Sequence, residues 1–272
     1  MQIRLLPALA GWRWVMNGFA LLRRQPVALL AITFLNLLLM SLSVLVPLIG
    51  SIAPLVLAPV LMVGLMRAVR TADEGRMPLP SMLFAAFRED GGRAWRPLLL
   101  LGAFNAAATM LALALAAVAD GGALMRLATG SVEDAGTAAF DERSLWLAVA
   151  VFVVAYVPVQ MAMWYSPLFV AWHRTPVAKS LFFSLFAVWR NRYAFVVYAI
   201  GWFAIALAGS LVVRVVQGAL GAHPFLLSMI LSPLSLALIT VIYCSFWPTY
   251  RDPVVADAAD DARGGDAADA QA

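Results

Sequence analysis

Apolar positions run through this chain in blocks, with charged residues confined to the gaps between them. Six blocks contain no Asp, Glu, Lys or Arg well inside: residues 27–49, 52–71, 97–118, 145–171, 194–213 and 224–247. The second is about 15 residues long if it stops before Arg67, and reaches 71 if Arg67 and Arg70 snorkel toward the headgroups. A hydrocarbon core of about 30 Å takes about 20 helical residues to cross, so each block predicts a transmembrane helix. The alternation of a lipid-facing barrel strand is absent, and block length overrides the strand propensity of runs such as 151–154. The pattern predicts an all-α, polytopic bundle of six transmembrane helices in one domain over residues 1–251.

Composition makes the soluble alternatives untenable. Apolar residues are 63% of the 272 and charged residues 12%, against about 45–50% and about 25% in soluble domains. A water-soluble enzyme, a nucleic-acid binder and a disordered chain are all excluded on that ground. Arg4, Arg13, Arg23 and Arg24 interrupt the start before any apolar core long enough for a cleaved signal, so the first span is expected to remain as an anchor. The tail, 252–272, holds six Asp and one Arg among Ala and Gly and is expected to be disordered.

Charge sets the orientation. Of eighteen Arg and one Lys, sixteen fall in the N-terminal segment, the loops after spans two and four, and the tail. Arg126, Arg143 and Arg214 fall on the other side. The positive-inside rule then places both termini in the cytoplasm, and the acidic loop 120–143 outside. The Arg bias with abundant Ala implies a GC-rich bacterial genome, hence an inner membrane.

Two short signatures recur in order. Phe19–Arg23, Phe84–Arg88 and Phe186–Arg190 precede the outward spans, and Ala58-Pro59, Ser166-Pro167 and Ser232-Pro233 mark the returning ones. They predict three parallel helical-hairpin repeats, each preceded by a cytoplasmic interfacial helix, unlike the inverted repeats of many transporters. For 12–22 the spacing puts Trp12, Val15, Phe19 and Leu22 on the apolar face; for 177–190 it puts Leu181, Leu185 and Val188 there. The prolines Pro47, Pro54, Pro59, Pro158, Pro167 and Pro233 are expected to kink or interrupt helices.

Candidate chemistry is sparse. No span has a central charge, and His173 and His223 stand at helix ends on opposite sides. The chain contains no Gly-x-x-x-x-Gly-Lys, His-Glu-x-x-His or Gly-x-Ser-x-Gly motif, and its one cysteine, Cys244, reads as a packing residue. Catalytic residues, metal ligands and cofactors are therefore expected to be none. Asn36, Asn105 and Gln160 are the candidates to line a polar cavity, with interhelical hydrogen bonding as the simpler role. Arg23, Arg24, Arg88, Arg190 and Arg192 are the candidates to hold anionic lipid headgroups, at about 1 kcal/mol each. The partners expected are membrane lipids, especially anionic ones, and no nucleic acid; the residues name no protein partner.

The chain resembles an uncharacterised family of bacterial six-helix inner-membrane proteins. The likeness is carried by Gly11-Trp12-Arg13-Trp14, the block ending Arg23-Arg24-Gln25-Pro26, Ser166-Pro167-Leu168 with Ala171-Trp172-His173, and the block ending Trp189-Arg190-Asn191-Arg192. It also resembles, more distantly, the membrane domain attached to some glycerophosphodiester phosphodiesterases. The resemblance implies no activity and supplies no catalytic residue. The functional expectation is a non-enzymatic scaffold or lipid-organising membrane protein. The alternatives are a transporter or lipid translocator with a polar cavity between kinked helices, and a membrane-embedded enzyme.

Overall fold

The computed structural model describes residues 2–47, 50, 52–122, 142–220 and 224–255. In chain order its elements are strand β1 (Gln2–Ile3), helices α1 (Ala10–Arg24), α2 (Pro26–Val44) and α3 (Ala53–Asp73), and short turns at Pro80–Phe84 and Glu89–Gly92 flanking α4 (Ala85–Arg88). There follow α5 (Trp95–Asp120), α6 (Glu142–Met163), α7 (Ser166–His173), α8 (Val177–Arg190), α9 (Arg192–Leu220), α10 (Pro224–Arg251) and strand β2 (Val254–Val255). Six described stretches are long and apolar enough to cross a bilayer: Pro26–Val44, Ala53–Asp73, Trp95–Asp120, Arg143–His173, Arg192–Gly218 and Leu227–Arg251. The fold is an all-α membrane bundle, with a two-residue antiparallel ladder pairing Gln2 with Val255 and Ile3 with Val254. Most of the loop 120–143, His223 and the tail beyond 255 lie outside the described residues.

Helix boundaries follow local chemistry. Gln25 leaves the helical region at φ −140° because Pro26 crowds the residue before it, and Pro26 then opens α2 with its preset φ. The first span was expected to reach residue 49, but α2 stops at Val44. Turn bonds from Leu45 N–H to the Leu42 carbonyl (3.1 Å) and from Val46 N–H to the Ser43 carbonyl (3.4 Å) close it ahead of Pro47. At the end of α3, Arg76 N–H bonds the Thr71 carbonyl and Gly75 N–H the Ala72 carbonyl, satisfying two orphan acceptors of the last turn.

The fourth span is not one helix. It breaks at Trp164–Tyr165, and α7 restarts with Pro167 in its first turn. The break is held by Ser184 of α8, whose hydroxyl accepts from Tyr165 N–H (2.9 Å) and donates to the Met161 carbonyl (2.8 Å). Pro59, Pro158 and Pro233 lie inside continuous helices.

The chain divides into two compact units. The first takes Met1–Phe34, Leu65–Pro80 and the chain from Trp189 onward; the second takes Leu35–Gly64 and Ser81–Val188. In the first unit α1 packs on α9 and α10. A Cβ on Gly11 would meet the Ala194 carbonyl, and one on Gly18 would lie 2.7 Å from the Val241 carbonyl oxygen, so only glycine permits this approach. Trp14 is fully buried between them, edge-on to Phe195 (5.4 Å) and Tyr198 (6.1 Å). The buried face of α1 is Ala10, Gly11, Trp14, Val15, Gly18 and Leu21; of the expected apolar face through Trp12, Val15, Phe19 and Leu22, Val15 is buried and Trp12 exposed. In the second unit α5 and α6 lie side by side.

The packed face of α8 is mostly small. Ser180, Ser184, Ala187 and Val188 are buried, whereas Phe182, Phe186 and Trp189 are exposed. Small residues let a helix approach its neighbour closely, and in lipid the bulky apolar side chains have no reason to turn inward.

Candidate functional site

The basic residues sort into two kinds. The first kind is tied up by carboxylates around the ends of α1, α3 and α10. Asp73, the last residue of α3 and 18% exposed, accepts from Arg24 Nη1 (2.9 Å), Arg251 Nη1 (2.7 Å) and the indole N–H of Trp247 (2.9 Å). Arg24 also donates to the Asp73 carbonyl (2.8 Å). Arg251 reaches on to Asp252 (3.1 Å), which accepts the indole N–H of buried Trp14 (3.0 Å). The result is one chain of charge-assisted bonds, Arg24–Asp73–Arg251–Asp252–Trp14. An isolated exposed ion pair contributes about 0–1 kcal/mol, but a network closed by two indole donors holds its geometry better.

Next along the chain, Glu74 pairs with Arg70 (2.9 Å) and with Arg76. Burial pushes its carboxyl up, and the hydrogen bonds from Arg76 and Arg70 more than offset this, leaving it below the ordinary carboxylate value.

Neither Asp73 nor Asp252 stood out in the sequence. The available signal was that Asp73 stands at the end of a span whose last turns are otherwise basic. Asp252 was assigned to the tail, yet it is fixed by Trp14 and Arg251, and the ladder at Val254 follows it.

The second kind of basic residue is exposed and has no carboxylate partner among the described residues; Arg23, Arg88, Arg190 and Arg192 belong to it, together with Arg4, Arg13, Arg93, Arg96, Lys179 and Arg214. Aromatic side chains stand beside Arg88 and Arg192. Phe87, next to Arg88, stacks on Trp95 at 6.4 Å. The guanidinium of Arg192 lies 4.6 Å from the Tyr193 ring centroid and 5.6 Å from that of Trp189, within cation–π range. Of the five arginines singled out for lipid, Arg24 alone is engaged by the Asp73 network.

Between Arg190 and Arg192 sits Asn191, buried, which ties the chain corner to the N-terminal segment. Its side-chain oxygen accepts from Leu6 N–H (2.9 Å) and its amide donates to the Arg4 carbonyl (3.1 Å).

The uncharged polar candidates all fall in the second unit. Gln160 of α6 donates to the Asn105 side-chain oxygen of α5 at 3.4 Å, and Thr109 donates to the Asn105 carbonyl (2.7 Å). Asn36 is buried on α2. Structure brings Asn105 and Gln160 together as one contact across a helix pair. Among the described residues no three of His, Cys, Asp or Glu gather as a metal-ligand set.

No protein-family pattern matches the chain, and no solved structure does. A probable inner membrane protein of Burkholderia thailandensis is 38% identical over 252 residues, an alignment covering 92% of this chain and 93% of that protein. With six membrane-length helices and near end-to-end similarity, the chain belongs to the family of that bacterial inner-membrane protein and is a membrane-embedded helical protein.

Proposed function

We propose that the protein is a non-enzymatic scaffold of the bacterial inner membrane that gathers anionic lipid around cytoplasmic arginines, with both chain ends in the cytoplasm. The observation that carries this reading is the sorting of the arginines. Arg24, Arg70, Arg76 and Arg251 have carboxylates of the chain itself, whereas Arg23, Arg88, Arg190 and Arg192 are exposed and have none among the described residues. A guanidinium with unspent donors beside an aromatic belt suits the phosphate of a lipid headgroup. Between Glu142 and Asp252 there is no acidic residue at all, so the basic corner at 190–192 has no nearby chain carboxylate in sequence.

The transport alternative asks Asn36, Asn105 and Gln160 to line a passage. The bond between Asn105 and Gln160 supports packing instead, worth about 0.6 kcal/mol by analogy with other interhelical bonds.

The test is to purify the full chain in mild detergent and weigh its retained lipids by mass spectrometry. Phosphatidylglycerol should be enriched over its share of the membrane. Replacing Arg23, Arg88, Arg190 and Arg192 together by Gln should abolish the enrichment, at about fivefold per charge. Equal lipid profiles for the two proteins would refute the reading. Loss of lipid translocation in proteoliposomes on Asn105→Leu or Gln160→Leu would instead favour transport.

A further inference from the structure

One exposed stripe of the first unit has the form of a lipid seat, an inference that rests on the lipid reading above and assigns it a place. Down α9, the residues Tyr193, Val196, Ile200, Phe203, Leu207 and Leu211 recur three or four apart, and all are exposed. At that spacing they form one continuous apolar face. The stripe begins at the corner where Arg190 and Arg192 project. From Tyr193 to Phe203 is about 15 Å of helix, half the hydrocarbon thickness of about 30 Å and thus the reach of one leaflet's acyl chains.

The corner is rigid from behind. Asn191 is bonded to Leu6 and Arg4, and the backbone of Ala194 lies against Gly11 of α1. The guanidinium of Arg192 is laid over Tyr193 and near Trp189. Among the described residues its hydrogen bonds are long ones, 3.4 Å each, to the Trp189 carbonyl and the Tyr193 hydroxyl. Its donors are pre-positioned and largely unspent.

We propose that the outer face of α9 seats one anionic phospholipid, its phosphate on Arg192 and Arg190 and an acyl chain along Val196, Ile200 and Phe203. Charge complementarity commits the face to this occupant. Two arginines with no carboxylate on α8, α9 or α10 call for an anion, and the apolar track leading from them calls for a hydrocarbon chain covalently joined to it. A second copy of this chain would bring the same two arginines and the same acid-free helices to the face. A free phosphate would leave the track uncovered.

Native mass spectrometry of the full-length protein in detergent tests the seat, with phosphatidylglycerol titrated against phosphatidylcholine. The wild type should retain phosphatidylglycerol preferentially. Arg190→Gln with Arg192→Gln should lower that retention at least fivefold, Arg192→Lys should lower it less, and Arg76→Gln, remote in sequence from the corner and paired with Glu74, should not change it. Phe203→Ser should reduce retention of long-chain but not short-chain phosphatidylglycerol. Near-native far-ultraviolet circular dichroism of each variant keeps the comparison valid, and these side chains are exposed enough to be replaced without unfolding.

Retention unchanged in the double variant overturns the proposal, as does displacement of the bound lipid by equimolar inorganic phosphate, or a dimer that dissociates on Phe203→Ser. If anionic preference survives the double variant but disappears on replacing Arg23 and Arg88, the scaffold reading stands and this seat falls. If no arginine variant alters the lipid profile, both fall.

Discussion

Gly18 is a residue at which a small change should be felt strongly. Its missing side chain lets α1 lie on the backbone of Val241 and the Cβ of Ser245, so any Cβ there must push two helices apart. Gly18→Val is expected to lower stability by at least about 1–3 kcal/mol, the usual cost of overpacking, read as a drop in thermal midpoint in detergent. Gly209 has open space around it, and Gly209→Ala should leave the midpoint unchanged or slightly raised.

Asp73 gives a second test at this scale. Asp73→Asn keeps the size of the side chain but removes the charge facing two arginines and turns one acceptor into a donor, and should cost about 1–3 kcal/mol. Arg24→Gln, at a side chain 54% exposed, should cost under about 1 kcal/mol. Glu74 adds a dependence on pH. Its folded carboxyl titrates below the ordinary 4.5, so its stabilising contribution is present above that value and is lost as pH falls through the folded value. The gap in thermal midpoint between wild type and Glu74→Gln should therefore be positive at neutral pH and close in acid.

At the scale of elements, length was the legible quantity and orientation was not. Every apolar block became helical, the fourth as two helices, because a run of about 20 uncharged residues has no other way to satisfy its backbone in lipid. The expected apolar faces of α1 and α8 did not say which side packs on the protein, because in lipid a bulky apolar side chain is as well placed outside as in. In α8 the buried residues are Ser180 and Ser184, and the exposed ones are Phe182 and Phe186.

The break at Trp164–Tyr165 was only half legible. Pro167 marked its vicinity, but the partner that makes it tolerable, Ser184, comes 19 residues after Tyr165 and left no local trace. Ser184→Ala strips two backbone groups of their partner at once. It should lower stability by about 1–3 kcal/mol and raise hydrogen exchange at Tyr165, whereas Ser228→Ala, an exposed hydroxyl bonded to its own helix, should do neither.

For the molecule as a whole, the first described residues are joined to the last. The ladder of Gln2–Ile3 with Val254–Val255 is extended by the bond from Arg4 N–H to the Pro253 carbonyl (2.8 Å), so both ends must lie on one face of any membrane the helices cross. Six spans independently require the same parity. The orientation proposed above rests on the arginine count. Translocating the N-terminal segment would carry Arg4, Arg13, Arg23 and Arg24 across the bilayer against the positive-inside bias, and the sixteen-to-three asymmetry of which they are part would be reversed. A fluorescent protein fused at either end should therefore glow, and alkaline phosphatase fused at either end should stay inactive. The ladder adds a consequence that parity alone lacks. Deleting residues 2–6 removes both the strand and the backbone that satisfies Asn191, so the corner bearing Arg190 and Arg192 should loosen while the topology, set by the remaining arginines, is kept. Active phosphatase on that truncated chain would mean that the ends, rather than the basic loops, hold the protein's orientation.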